Sequence, residues 1–149
     1  MRIYDLVIIG AGPAGITAGI YAKNFGLDCL IIGEENGGLI NSAYKVENYP
    51  GFFNISGKEL TEKFKAHQKH LKISSKKERV GKVSPVIRPG KMTFRVFTKN
   101  NQYYSKTVIL AFGTEVKKLD IKNVEKFEGK GVSYKLNDNA YFIETKQSQ

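Results

Sequence analysis

The hexapeptide Gly10-Ala-Gly12-Pro-Ala-Gly15 constrains this chain more than any other segment, because of what stands on either side of it. Before it, Tyr4 to Ile9 is a short apolar run of the kind that forms a buried parallel strand. After it, Ala14 to Phe25 reads as a helix closed by Gly26, with Ala14, Ala18 and Ala22 recurring every four positions. That spacing predicts an alanine face lying close on a sheet. Asp28 to Ile32 then reads as a second strand, so the segment is a strand–helix–strand unit with an expected right-handed crossover. In that setting the G-x-G-x-x-G spacing has a mechanism. Gly10 permits a tight turn, Gly12 lets backbone approach a pyrophosphate, and Gly15 lets helix and strand pack closely. The helix N-terminus adds unpaired N–H groups and a positive dipole end. The fingerprint implies a dinucleotide without choosing which one.

A dinucleotide site of this type places an acid at the end of the second strand to bind the adenosine ribose. By spacing that position is Gly33, and Glu34 and Glu35 follow it. Either carboxylate could reach the ribose, and both remain candidates.

Beyond the second strand, Glu34 to Phe53 is rich in turn residues, among them Gly37-Gly38, Asn48 and Pro50-Gly51. An irregular stretch of this length inside a compact domain is usually functional. Ser56-Gly57-Lys58-Glu59 fits a capping box, and Leu60, Phe64, His67 and Leu71 make one helical stripe behind it. His67 on that stripe is expected to be packed and hydrogen-bonded, and His70 to face solvent. From Glu78 the pattern turns to strands, at Arg79 to Ile87, Thr93 to Thr98 and Tyr103 to Ala111, with turns at Arg88 to Lys91 and Lys99 to Gln102. These form a three-stranded meander whose last member is apolar enough to re-enter the parallel sheet. Thr114 to Gln149 is loop-rich with a polar end.

The basic excess, 24 Lys and Arg against 14 Asp and Glu, could point to an anionic partner. Lysines spread through every segment, without an arginine cluster, argue instead for a solvated surface and against nucleic acid. Cys29 is the only cysteine, so no intrachain disulfide or C-x-x-C pair can form among these residues. It falls in the run Cys29 to Ile32 and is expected in the core. No apolar run is long enough to span a bilayer, and Asp5 breaks the N-terminal run that might pass for a signal peptide. A cytoplasmic location is the expectation.

Further motifs narrow the dinucleotide. The succession G-A-G-P-A-G, Gly37-Gly38, Val46-Glu-Asn-Tyr-Pro-Gly51, Ala111-Phe-Gly113 and Gly129-Lys-Gly-Val-Ser-Tyr134 resembles low-molecular-weight thioredoxin reductases over essentially all 149 residues. The resemblance implies an α/β fold: a Rossmann-like FAD-binding domain with a small parallel sheet, flanking helices and an inserted three-stranded β-meander. It implies FAD as cofactor. Gly10, Gly12, Pro13, Ala14 and Gly15 would then hold its pyrophosphate, and Glu35, Gly37 and Gly38 would line the ribose and ribityl side. Asn48 would touch the flavin region, backbone at Val80 would meet the adenine, and Ala111 and Gly113 would close the pocket.

The chain also departs from that family. Where the family continues G-V-S-Y/A with C-A-T-C-D-G, this chain has Lys135-Leu-Asn-Asp138-Asn-Ala140, so Lys135 and Asp138 occupy the redox cysteine positions. Thiol–disulfide exchange requires a thiolate, which neither residue supplies. Phe112 replaces the threonine of an A-T-G motif. The family's nicotinamide-binding domain and closing Gly-Asp segment have no counterpart here, so 1–149 is expected to be an incomplete FAD-binding domain, with 135–149 a degenerate redox region and tail. Uncovered apolar faces are expected, to be met by a homodimer or a separately encoded partner. Two other readings stay open: a flavin- or nucleotide-binding interaction module without turnover, and a small NAD(P)-binding dehydrogenase.

Overall fold

The computed structural model describes residues 2–115 and 117–134. They fall into two compact units, one ending at Gly113 and one beginning at Thr114. The first contains strands β1 (Ile3–Ile9), β2 (Cys29–Gly33), β3 (Ser74–Lys77), β4 (Val80–Arg88), β5 (Lys91–Thr98) and β6 (Gln102–Leu110), and helices α1 (Pro13–Asn24) and α2 (Gly57–His70).

The strands make one mixed sheet in the order β3-β2-β1-β6-β5-β4. β3, β2, β1 and β6 run parallel, while β4 and β5 are antiparallel to their neighbours. The meander is therefore continuous with the parallel sheet, and β6 pairs with β1 from Ile3↔Tyr104 to Ile9↔Leu110. β3 is a strand that apolar patterning does not reveal, since its four residues are all exposed. It belongs to the sheet through pairing with β2, from Leu30↔Ser74 to Gly33↔Lys77.

The central strands bury both faces. Leu6, Ile8, Cys29 and Ile31 pack with Ala22 on the helix side. Val7, Ile9, Leu30 and Ile32 meet Val96 on the other, where Val80 and Val83 also pack. Each fully buried aliphatic side chain contributes roughly 1.5–3 kcal/mol of transfer free energy. That is why an uninterrupted apolar run, rather than an alternating one, marks these strands. Cys29 is buried as expected, and burial pushes its thiol pKa up.

The contact face of α1 differs from the alanine stripe. Gly15, Ile16, Gly19 and Ala22 are buried, Ala18 is half-buried, and Ala14 is exposed. Glycine allows the closer approach: a Cβ on Gly19 would stand 2.8 Å from Ile31 Cδ1. Helix α2 carries the predicted capping box, with Glu59 N–H donating to Ser56 Oγ and Ser56 N–H to Glu59 Oε2. Its buried face is Gly57, Leu60, Thr61, Phe64 and Gln68. His67 is exposed, which corrects the stripe, and Gln68 takes the buried position by donating from Nε2 to the Ile73 carbonyl.

The stretch 34–53 holds a short 3-10 helix, Gly38–Ser42, and a bridge between Val46 and Ile55 closes the loop that follows. Tyr49 at its tip meets Phe64 edge-on at 5.3 Å, so α2 anchors the loop. Pro89-Gly90 links β4 and β5, with Gly90 at φ 70 as a type II turn requires. Leu110 and Phe112, at and just beyond the end of β6, are exposed apolar side chains, as expected of an uncovered face. In the second unit, Val124–Phe127 forms a 3-10 helix, and Tyr134 Oη accepts from the Leu119 N–H. Lys135 and Asp138 lie outside the described residues.

Candidate functional site

The chain passes from β1 through α1 to β2 on one side of β1, while β6 lies on its other side. The carboxyl ends of β1 and β6 therefore flank a point where the strand order reverses, the crevice in which open α/β sheets bind ligands. The glycine turn stands there. Gly10 has φ 115, and a Cβ on it would overlap the Ala111 carbonyl, so only glycine lets the turn close beside the end of β6. Gly10 N–H donates to the Ile32 carbonyl at 2.7 Å, and Ala111 N–H to that of Ile9 at 2.7 Å. A Cβ on Gly15 would overlap the Gly10 carbonyl, which fixes the closeness of helix to turn.

Gly12 differs from both. Its backbone is extended at φ −80 and ψ −176, open to any residue. A Cβ there would meet only the Gly37 carbonyl oxygen, at 3.8 Å. The space in front of Gly12 is free, and the helix behind it has no side-chain cap, no acid in its first turn and Pro13 at its first position. The first-turn N–H groups of a helix have no intrahelical acceptors. Here Ala14 and Gly15 present theirs beside that free space, an arrangement suited to an oxyanion.

The loop after β2 forms the adjoining wall. Gly37 N–H donates to the Ala11 carbonyl at 2.7 Å, and a Cβ on Gly38 would lie 3.7 Å from Gly12 Cα. Gly37 (φ 92) and Gly38 (φ 58) both hold left-handed backbone. Thus Gly10, Gly12, Pro13, Ala14, Gly15, Gly37, Gly38 and Ala111 come together. Gly113, with φ 69, follows Ala111 and Phe112 at the β6 end.

The two candidate acids have different partners. Glu34 Oε2 faces Arg79 Nη1 at 3.4 Å, and Glu35 Oε1 accepts from Asn41 Nδ2 at 3.1 Å. Asn41 Nδ2 also donates to the Asn36 carbonyl at 2.7 Å. Val80 opens β4, half-buried against the core cluster that includes Val96 and Tyr4. Asn48 is exposed on the 46–55 loop, beside a hollow it lines with Tyr49, Pro50 and Phe52.

Two features were invisible in the sequence. One is a cleft of about 440 Å³ lined by Glu35, Asn36, Asn41, Lys58, Ser75 and Lys77, which depends on the unpredicted strand β3. The other is a polar knot around Glu78, whose carboxylate accepts from Thr98 Oγ1 at 2.6 Å, Asn101 Nδ2 at 2.9 Å and Tyr103 Oη at 2.8 Å. These bonds, that from Thr98 foremost, hold the Glu78 pKa below its usual range. Burial, with Glu78 alongside, pushes the Tyr103 phenol up to about 12. The knot fixes the link between β3 and β4 onto the β5–β6 turn.

Among proteins of known identity, the chain is 39% identical over 144 residues to a thioredoxin reductase of Listeria innocua, covering 95% of this chain and 44% of that protein. It is 38% identical over 143 residues to a thioredoxin reductase of Bacillus subtilis, with the same shares covered. Of solved structures, the thioredoxin reductase of Lactococcus lactis superposes with a TM-score of 0.77 at 32% identity, over 87% of this chain and 42% of that one. The enzyme of T. acidophilum gives 0.74 at 35% identity, over 88% and 42%. The chain thus spans less than half the length of these relatives and corresponds to their N-terminal portion. Residues 4–149 match the model of the pyridine nucleotide-disulphide oxidoreductases, and the chain belongs to that family, on its thioredoxin-reductase-like side.

Proposed function

We propose that this chain is the FAD-holding part of a thioredoxin-reductase-like oxidoreductase and that these residues do not themselves exchange thiols with disulfides. The observation that carries the reading is the free space before Gly12, walled by Gly37 and Gly38 and faced by the uncapped start of α1. An FAD pyrophosphate fits its chemistry: backbone N–H donors, no competing carboxylate and no Cβ in the way. Gly10, Gly12, Pro13, Ala14 and Gly15 would hold that group, Gly37 and Gly38 would face the ribityl side, and Ala111 and Gly113 would close the β6 wall. Asn48 and the Val80 backbone would extend the site to the flavin and the adenine. When bound, FAD supplies a two-electron carrier, and the chain's own residues position it and exclude water.

The limit on chemistry comes from sulfur. Cys29 is the one cysteine, it is buried, and its thiol is held neutral, so it is no nucleophile toward a disulfide. Purified protein is expected to be yellow, releasing flavin on denaturation, and to show no NADPH-dependent reduction of a disulfide dye. A colourless preparation that takes up no added FAD would refute the reading. A nucleotide-binding module without turnover is the second reading, favoured by the exposed Leu110 and Phe112, which a second copy or a separately encoded partner would cover. It predicts bound flavin that NADPH does not bleach.

A further inference from the structure

Phe112, where the family pattern has threonine, stands against the glycine turn itself. The point where a Cβ on Gly10 would stand touches the Ala111 carbonyl and lies 2.8 Å from Phe112 Cα. The backbone here is held on both sides. Ala111 N–H donates to the Ile9 carbonyl at 2.7 Å, and Gly113 turns the chain at φ 69. Ala111 itself packs against the cluster of Leu6 and Ile8. The Phe112 ring nevertheless remains 69% exposed and meets no other described aromatic ring.

A threonine is at ease in water at such a place. A phenylalanine leaves apolar area uncovered, and a planar partner would remove that area from water. The position of the ring says which partner. It adjoins a cradle suited to a pyrophosphate, and β6 lies across β1 from β2, whose following loop carries Glu34 and Glu35. A dinucleotide with its adenosine toward that loop sends its other half toward the end of β6.

We propose that the Phe112 side chain contacts the cofactor, its ring packing on the isoalloxazine half of FAD and setting a preference for the flavin dinucleotide over an adenine nucleotide alone. Stacking on a planar ring suits any aromatic side chain. Because the Phe112 backbone is already held, little ordering is lost when the ring is covered. This inference rests on the cradle holding the FAD pyrophosphate, and the test separates the two.

The test measures FAD and ADP binding by calorimetry to the full chain and to Phe112→Thr, whose exposed position leaves the fold undisturbed. Phe112→Thr should weaken FAD about tenfold, equivalent to about 1.4 kcal/mol, and leave ADP within about twofold of wild type. A spectroscopic arm uses the absence of tryptophan from the chain. Phe112→Trp sets an electron-rich ring against the flavin and should quench its fluorescence at saturating FAD. Tyr21→Trp, roughly 12 Å along α1 from Pro13, should leave that fluorescence unchanged. Three results would overturn the assignment while leaving the cradle intact: unchanged FAD affinity in Phe112→Thr, equal weakening of FAD and ADP, or a bound flavin as bright in Phe112→Trp as in Tyr21→Trp. A lower native mass in Phe112→Thr at unchanged FAD affinity would give the ring to an interface between copies instead. Binding of neither ADP nor FAD by wild type would sink the cradle and this assignment with it.

Discussion

Placing a methyl group on Gly12 tests the cradle without disturbing the fold. At φ −80 and ψ −176 alanine meets no backbone strain, and its Cβ would have one neighbour at 3.8 Å. Restricting the unfolded chain favours the native state by about 0.4–1 kcal/mol. Alanine is a poorer N-cap than glycine by a comparable amount. The two terms nearly cancel, so Gly12→Ala should melt within a few degrees of wild type. Binding should respond differently. The methyl occupies the space where a pyrophosphate oxygen would meet the first-turn N–H groups. Hydrogen bonds to a charged oxygen contribute about 1.5–3 kcal/mol each. Losing one lowers FAD affinity by roughly tenfold to about 150-fold.

Gly15→Ala is the control with opposite signature. Its Cβ would overlap the Gly10 carbonyl, main chain of a residue whose N–H is bonded to the Ile32 carbonyl of β2, so helix and turn must separate. Such overpacking costs about 3 kcal/mol or more, and Tm should fall by ten degrees or so. Thermal melts by circular dichroism and FAD titrations by flavin fluorescence read the two effects separately. If Gly12→Ala binds FAD within twofold of wild type at an unchanged Tm, the pyrophosphate does not lie where this geometry puts it. If it melts as early as Gly15→Ala, the free space before Gly12 is misread.

Thr61→Val keeps the shape of a buried side chain and removes its unpaired hydroxyl. It should stabilise the protein by about 1 kcal/mol, seen as a higher Tm; an unchanged or lower Tm would refute the reading of that hydroxyl as unpaired. The Glu78 knot predicts two pH limits. Tyr103, raised to about 12 in the fold, stabilises below its ordinary pKa of 10, and that stability is lost as pH climbs from 10 through 12. Glu78, with its pKa depressed, stabilises above the ordinary carboxylate range and loses that contribution as pH falls through its lowered value. Tyr103→Phe should flatten the alkaline limb of a Tm-against-pH profile and cost about 1 kcal/mol at neutral pH; an unaltered limb would refute the assignment. Leu110→Glu should reduce any self-association seen as native mass by light scattering, without changing FAD uptake, because Leu110 is 63% exposed at the end of β6.

What could be read in the sequence, and what could not, follows from which forces leave a trace in residue type. Strands buried on both faces need apolar side chains at every position, so β1 and β2 were legible, as was β6 through its apolar end. Turns that demand a positive φ need glycine, so Gly10 and Gly90 marked their own positions. β3 left no such trace. Its membership rests on backbone pairing to β2, which Ser74-Ser-Lys-Lys77 supports as well as any other residues at an exposed edge. The α2–β3 cleft vanished from view with it. The α2 face was misjudged for a related reason. Leu60 and Phe64 are compatible with two neighbouring stripes, and only the carbonyl of Ile73, a tertiary partner, selects Gln68 over His67.

The α1 stripe shows the same limit more sharply. Gly15 and Gly19 read as weak helix formers, yet they form the contact face, because the absent Cβ lets the sheet approach. Gly33 carries the argument into the site. In sequence it is a missing acid, and in space it is a position that the glycine turn forbids to any side chain. The departure at Gly33 and the closeness of Ala11 are one fact seen twice. A chain that packs its turn this tightly against β2 leaves no room for a side chain at the strand end, so the nearest carboxylates, Glu34 and Glu35, stand on the loop that follows.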